Sequence, residues 1–289
     1  MDRKKTIIML CVNRSGSTAI YDVFRKHPEV GRGVLKTEDP FFEPNFWNNA
    51  ARAIGGNETS FRMHLTKKIP YVKIPKEITK ETVFKIWDLI LEKNGPVIFD
   101  KTPFYLGNHN AINLILEYQK KGNDVRLFFL IRNPVDTITS QHELRGVRKK
   151  GYTIKEREIM YIERIIHMDE INAGKDLFPV FKYEEIAKEP NTYIPKILNY
   201  CGLSGQNKIW NHIKPVSIGR YWWSINSDIR KWVVSEELLS IMKRFRYEHK
   251  MPSYFKKVFL LLIKFPHTFK RTRGTIAKPL ELIKYCLEK

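Results

Sequence analysis

Residues 7–18 read Ile7-Ile8-Met9-Leu10-Cys11-Val12-Asn13-Arg14-Ser15-Gly16-Ser17-Thr18, and the fold turns on how this stretch is read. The unbroken apolar run from Ile7 to Val12 predicts a strand covered on both faces, as in parallel sheets. A loop of small residues follows and leads into Thr18 to His27, where Ile20, Val23 and Phe24 share one helical face. A strand, a glycine-containing turn and a helix start aim backbone N–H groups and the positive helix end at one spot. Gly16 admits close backbone approach, Ser15, Ser17 and Thr18 bring hydroxyl donors, and Arg14 brings a cation. The result is an anion cradle. It differs from the nucleotide P-loop, whose GxxxxGK[ST] pattern occurs nowhere in the chain. By itself the same stretch also fits an ordinary Ser/Thr cap on a helix.

A second anchor is the run Val125-Arg126-Leu127-Phe128-Phe129-Leu130-Ile131, closed by Arg132-Asn133-Pro134-Val135-Asp136 with Ser140 four residues on. Proline and Asp in a first turn are helix-start chemistry. Arg132 therefore falls at a strand's C-terminal end, where open parallel sheets bind ligands. Read as ordinary residues, Arg132 is a surface cation and Ser140 a helix residue without a ligand.

Strands are expected at Thr6 to Val12, Val97 to Phe99, Val125 to Ile131 and Pro179 to Tyr183. Helices are expected at Thr18 to His27, Glu81 to Lys93, Lys155 to Asn172 and Ile194 to Cys201. In the third helix Ile159, Ile162, Ile165 and Ile166 mark the apolar face. Strands alternating with helices predict an α/β fold with a parallel sheet. Asp39 to Pro75, rich in Pro, Asn, Gly and aromatics, reads as an irregular insertion over the sheet.

Composition narrows the function. With 289 residues, 43% hydrophobic, 6 Trp, 13 Tyr and 17 Phe, the chain packs a core and is not disordered. Cys11, Cys201 and Cys286 lie far apart with no zinc-type spacing, which argues against a disulfide scaffold or a zinc site. No apolar run approaches the ~20 residues of a membrane span. The basic start Met1-Asp2-Arg3-Lys4-Lys5 is followed by too short an apolar run for a signal peptide, so a cytoplasmic location is expected. The net charge of +20 draws anions: nucleic acid, an anionic membrane, or phosphorylated and sulfated molecules. Lys243 to Lys289 holds 13 basic and 3 acidic residues, leaving the body only moderately basic.

Together the two anchors resemble the sulfotransferases that use 3′-phosphoadenosine 5′-phosphosulfate (PAPS), of the carbohydrate and bacterial type. Arg14-Ser15-Gly16-Ser17-Thr18 is similar to that family's 5′-phosphosulfate loop. Arg132-Asn133-Pro134-x-Asp136-x-x-x-Ser140 is similar to its 3′-phosphate element. His27-Pro28-Glu29-Val30, Asp100-Lys101-Thr102-Pro103-x-Tyr105-Leu106, Lys182-Tyr183-Glu184-Glu185-Ile186 and Ser217-Ile218-Gly219-Arg220-Tyr221-Trp222 follow in the family's order. The resemblance runs from Lys5 to Met242. It implies a single α/β domain of the P-loop-like sulfotransferase fold over residues 1–250, ahead of a basic amphipathic tail over 251–289.

The same resemblance implies PAPS as donor, no metal, and a hydroxyl acceptor on a carbohydrate or glycolipid. Arg14, Ser15, Gly16, Ser17, Thr18, Arg132, Ser140 and Arg220 would hold the donor. Lys101 would hold the bridging oxygen or the acceptor, although a solvated Lys after a strand is as ordinary. Several relatives acting on sugars place a Glu before an aromatic pair, which makes Glu38, in Glu38-Asp39-Pro40-Phe41-Phe42, the expected base. Asp39 beside it raises a shared pKa by like-charge repulsion; the pair also fits a loop cap before proline. The cytosolic branch's His has no counterpart after Lys101, and His64 and His109 are weaker alternatives. Tyr183 and Glu184 read as structural. The tail fits an anionic membrane surface, a packed helix, or a grip on a polyanionic acceptor. The rival functions are a small-molecule kinase, which lacks its Walker Lys, and a non-catalytic anion or nucleic-acid binder, for which no motif is present.

Overall fold

The computed structural model describes residues 4–31, 45–144, 151–172, 177–205, 209–213, 219, 221, 224 and 226–247. In chain order the elements are β1 (Lys5–Cys11), α1 (Ser17–Lys26), α2 (Phe46–Ile54), α3 (Thr59–Lys68), α4 (Lys80–Asn94), β2 (Val97–Lys101), a 3₁₀ turn (Tyr105–Gly107), α5 (His109–Lys120) and β3 (Asp124–Ile131). They continue as α6 (Pro134–His142), α7 (Ile154–Asn172), β4 (Val180–Lys182), α8 (Tyr183–Lys188), α9 (Pro190–Tyr200), α10 (Ser227–Lys231) and α11 (Glu236–Arg244). The described residues divide into two compact units. One is drawn from Met1–Arg132 and Glu163–Val216, the other from Asn133–Ile162 and Ser217–Lys289.

The first unit is built on a parallel sheet of order β2-β1-β3-β4. Met9 pairs with Lys101, Cys11 with Leu130 and Ile131 with Lys182. All strands therefore deliver their C-terminal ends to one edge. Ile7 to Cys11 and Leu127 to Leu130 have no exposed surface, as expected of strands covered on both faces. The α/β expectation and the four strand positions hold within a few residues.

The helices are held by side chains the sequence pattern located. Phe24 of α1 stacks on Phe99 of β2 with ring centroids 4.0 Å apart. Thr79 and Thr82 form a capping box at the start of α4. From α4, Trp87 Nε1 donates to the buried Thr6 Oγ1 of β1 at 2.8 Å. Removing the Trp87 side chain would cost about 3–5 kcal/mol in a core of this kind.

Two expectations are corrected. Within Asp39 to Pro75, the described part from Asn45 onward contains α2 and α3. Phe46 and Trp47 pack on Trp87, both at 4.9 Å between centroids, and Trp47 also meets Tyr118 of α5. This aromatic cluster, contributed by three helices, fixes a segment whose own Asn and Ala residues signal little. The second correction concerns α7. Ile159 and Ile166 are more than half exposed, whereas Arg157, Glu158, Tyr161, Arg164, Ile165, His167 and Met168 are buried. Ile165 is buried as expected, but four charged or polar residues share the buried face with Ile154, Tyr161, Ile165 and Met168, so apolar periodicity located that face only in part. In the second unit Glu158 accepts from Trp232 Nε1 and from the Ser235 backbone N–H, which satisfies the buried carboxylate.

Free Cys11 and Cys201 are both buried, and burial pushes the Cys201 thiol up to about 12. Among the described residues no helix is long and apolar enough to cross a membrane. The basic segment 251–289 lies outside the described residues.

His64 of α3 makes an acid-stability prediction. Its ring lies 6.3 Å from that of Phe46, and its Nε2 is buried without a partner among the described residues. Burial first, then the Lys68 charge, push its pKa down to about 4 from 6.5. The unfolded chain takes up this proton first as pH falls, so stability present above pH 6.5 is lost progressively toward pH 4. That loss amounts to roughly 3 kcal/mol. Urea midpoints measured between pH 4 and 7 should fall with acid, and His64→Leu should flatten that dependence.

Candidate active site

In the first unit the segments following β1, β2, β3 and β4 emerge at the same sheet edge. After β1 the chain turns sharply: Arg14 has φ 72° and Gly16 φ 90°. The Ser15 N–H donates to Val12 O at 3.2 Å, closing the turn. Gly16 is the N-cap of α1, and among the described residues no side chain caps that helix, which leaves N–H groups at its start without an intrahelical acceptor. Ser15 Oγ is buried without a hydrogen-bond partner among the described residues. A buried hydroxyl left unpaired costs on the order of 1–3 kcal/mol, which an anion in the loop would offset.

Gly16 is required on two counts. Its φ lies in the left-handed region, and the Tyr183 ring lies against it. A Cβ added at Gly16 would come within 2.2 Å of Tyr183 Cδ2. Tyr183, at the start of α8 and buried, is therefore a wall of the loop as well as a core residue.

Arg132, just past β3, is 4% exposed. Its Nη1 donates to Arg14 O at 3.1 Å, and its guanidinium lies 5.7 Å from the Tyr183 ring centroid. Arg132 thus braces the loop in its unusual conformation. Lys101, at the end of β2, is buried, with Nζ 5.8 Å from the Tyr21 ring centroid. Beside it, the Asp100 carboxylate accepts from Tyr105 Oη at 2.7 Å. Burial, then the Asp100 charge, raise the Tyr105 hydroxyl well above its usual range. That buried pair accounts for the spacing of the Asp100-to-Leu106 stretch. Thr102 Oγ1 accepts from the Asn45 N–H at 3.2 Å, tying α2 to this edge.

Further along, His27 and Glu29 bind the loop after α9. His27 Nε2 lies 2.8 Å from Ser204 O, and Ser204 N–H donates to the Glu29 carboxylate at 2.9 Å. The Ser204 side chain first, and then its backbone N–H, hold Glu29 below the usual carboxylate range. The His27-Pro28-Glu29 segment is a structural tie.

One cation near the strand ends escaped the sequence reading. Arg164 of α7 is 9% exposed and has no ion pair or hydrogen bond among the described residues. Its Nε lies 3.8 Å from the place a Cβ on Gly107 would occupy. Desolvation lowers its pKa, with the Cys11 thiol at the end of β1 a smaller opposing influence. No motif surrounds it.

In the second unit Ser140 is buried within α6, a helix whose nine residues are all buried. Asn133 caps that helix, accepting from the N–H groups of Val135 and Asp136. Asp136 lies in the first turn of α6, as read from the sequence, and its carboxylate also accepts from Gly219 N–H at 2.6 Å and Tyr221 N–H at 2.9 Å. It anchors the residues on either side of Arg220 in the sequence. Arg220 itself and the expected base Glu38 lie outside the described residues. Of the expected site, the structure brings together Arg14 to Thr18, Arg132 and Lys101 in the first unit.

At this edge of the parallel sheet a turn at positive φ is braced by a buried arginine. A sequence profile of the sulfotransferase family matches residues 6–208, and the chain belongs to that family. Among solved structures, it is similar to the sulfotransferase domain of the Synechococcus PCC 7002 olefin synthase. Identity is 13%, over 86% of this chain and 98% of that one, with a TM-score of 0.57. A sulfotransferase domain from the curacin biosynthetic pathway aligns at 14% identity over 85% of this chain and 99% of that one, with a TM-score of 0.56. At these identities the likeness is one of fold. Comparison with curated protein sequences found no match.

Proposed function

We propose that the protein transfers a sulfuryl group from PAPS to a hydroxyl of a carbohydrate or glycolipid. The observation that carries the donor assignment is the loop 14–18. It combines a glycine at positive φ whose Cβ would clash with Tyr183 and, among the described residues, a helix start with no side-chain cap and a buried hydroxyl without a partner. These features fit an anionic phosphosulfate and leave the loop unexplained without one.

The donor supplies an activated sulfuryl group on a phosphate leaving group. The N–H groups of Gly16, Ser17 and Thr18 and the hydroxyls of Ser15, Ser17 and Thr18 would hold its 5′ end, with Arg14 opposing the charge that grows there. Arg132, Ser140 and Arg220 serve the 3′-phosphate. Lys101 steadies the bridging or acceptor oxygen. As the sulfur–oxygen bond to the leaving phosphate breaks and the bond to the acceptor oxygen forms, the Glu38 carboxylate takes the acceptor's proton. Positioning and electrostatics dominate in such transfers, and a base adds ~10²–10⁴-fold.

Calorimetric titration with adenosine 3′,5′-bisphosphate, beside AMP, ADP and ATP, tests the donor. Tight binding that needs the 3′-phosphate is expected. Equal, salt-sensitive binding of all four would favour a plain anion binder. Glu38→Gln should leave bisphosphate binding intact and lower kcat by ~10²-fold or more; retained turnover would place the base elsewhere.

A further inference from the structure

Outside the residues assigned to sulfuryl transfer, a second cluster of coordinating groups lies in the first unit. His109 opens α5 directly after the 3₁₀ turn Tyr105–Gly107, and His167 and Glu170 stand one turn apart on α7. The His109 and His167 rings stack with centroids 3.5 Å apart. His109 Nδ1 lies 3.8 Å from Glu170 Oε2. Each residue offers one ligand atom, and the three atoms all lie within 4.8 Å of one another. We propose that His109, His167 and Glu170 form a binding site for a divalent transition metal of the zinc type.

Three observations support it. His167 is buried, and its Nδ1 lies 2.8 Å from Leu106 O. A carbonyl oxygen only accepts, so Nδ1 carries the proton and Nε2 keeps its lone pair. Metal-ligating histidines are oriented in this way, by donating their second ring nitrogen to a carbonyl or carboxylate. Secondly, the ligand set suits such an ion: the donor atoms of His109, His167 and Glu170 lie within 4.8 Å of one another, and two imidazoles with a carboxylate form a known zinc-binding set.

Thirdly, the distances are within reach of closure. Bonds of about 2.0–2.1 Å in a tetrahedron place ligand atoms roughly 3.4 Å apart. His167 is fixed, while the His109 and Glu170 side chains are 65% and 58% exposed and free to close the remaining gap of about 1–1.5 Å. Two imidazole nitrogens with one carboxylate oxygen select zinc, cobalt or nickel over calcium and magnesium. A bound ion would clasp α7 to the start of α5. Because His167 is tied to Leu106, the same clasp bears on the Asp100-to-Leu106 stretch that carries Lys101.

The test uses the full chain without an affinity tag, stripped by chelator and titrated with Zn²⁺ by calorimetry and with Co²⁺ by visible absorption. One saturable equivalent is expected, with the intense visible bands of low-coordinate Co²⁺ and a Tm several degrees higher at saturating Zn²⁺. His167→Ala should abolish binding. Since that change also empties a buried position, the exposed variants Glu170→Gln and His109→Asn are read beside it. Each should weaken Zn²⁺ binding by tenfold or more while leaving the metal-free Tm unchanged. Absence of a saturable site, or a Zn²⁺ affinity unchanged in both exposed variants, would overturn the proposal. Bisphosphate titration of the same samples reads the donor site separately, so the two assignments stand or fall independently.

Discussion

Arg132→Ala should lower the affinity for adenosine 3′,5′-bisphosphate by on the order of 10²–10³-fold. Two effects combine. A guanidinium at a phosphate makes charge-assisted hydrogen bonds of about 1.5–3 kcal/mol each. The same side chain also donates to Arg14 O at 3.1 Å and lies beside the Tyr183 ring, so its removal releases a loop held at positive φ. Arg132→Lys keeps the charge but not the planar fork, and recovers only part of the loss. Calorimetric affinity and Tm should be read together. A fall in Tm with unchanged bisphosphate affinity would make Arg132 a purely structural brace and remove it from the donor site.

Gly16→Ala should be nearly as damaging, and through a different cause. The new methyl would overlap Tyr183 at 2.2 Å from Cδ2, 2.4 Å from Cε2 and 2.6 Å from Cγ, while φ 90° is a conformation alanine resists. The Tyr183 ring is buried and does not give cheaply. A left-handed non-glycine residue costs on the order of 1–3 kcal/mol and overpacking typically adds 1–3 kcal/mol. Stability should fall by roughly 2–6 kcal/mol on those grounds, with bisphosphate binding lost along with the loop. Tyr183→Ala combined with Gly16→Ala should recover the clash but not the backbone cost. Urea denaturation of the four-member cycle separates the two. Strictly additive losses would mean that Tyr183 does not wall the loop.

The positions of the four strands and the turn at Gly16 were legible because each is written locally. A run of buried apolar residues, a small-residue turn and a helix start need only their neighbours in sequence to be read. Elements whose character depends on distant partners were not legible. The helices α2 and α3 carry weak patterns of their own; α2 is held by the aromatic rings of α4 and α5, and α3 packs Phe61 on Phe46 of α2. Asp136 has the sequence signature of a helix-start residue, yet its oxygens accept from Gly219 and Tyr221. Nothing adjacent to it in the chain signals those donors.

Helix α7 shows the division most sharply. Of the isoleucines taken to mark its buried face, Ile165 is buried while Ile159 and Ile166 are exposed, and the helix also buries Arg157, Glu158, Arg164 and His167. Partners such as Trp232, Ser235 and the Leu106 carbonyl satisfy two of these groups, Glu158 and His167. The amino-acid sequence by itself determined an α/β fold of the sulfotransferase family with a small-residue turn after its first strand. Only the tertiary structure decided that Tyr183 closes that turn, that Arg132 braces it, and that two histidines and a glutamate meet where α7 passes the start of α5. The reason is physical: strand and turn propensities act over a few residues, whereas a buried polar group is settled by whichever distant atom completes its hydrogen bond.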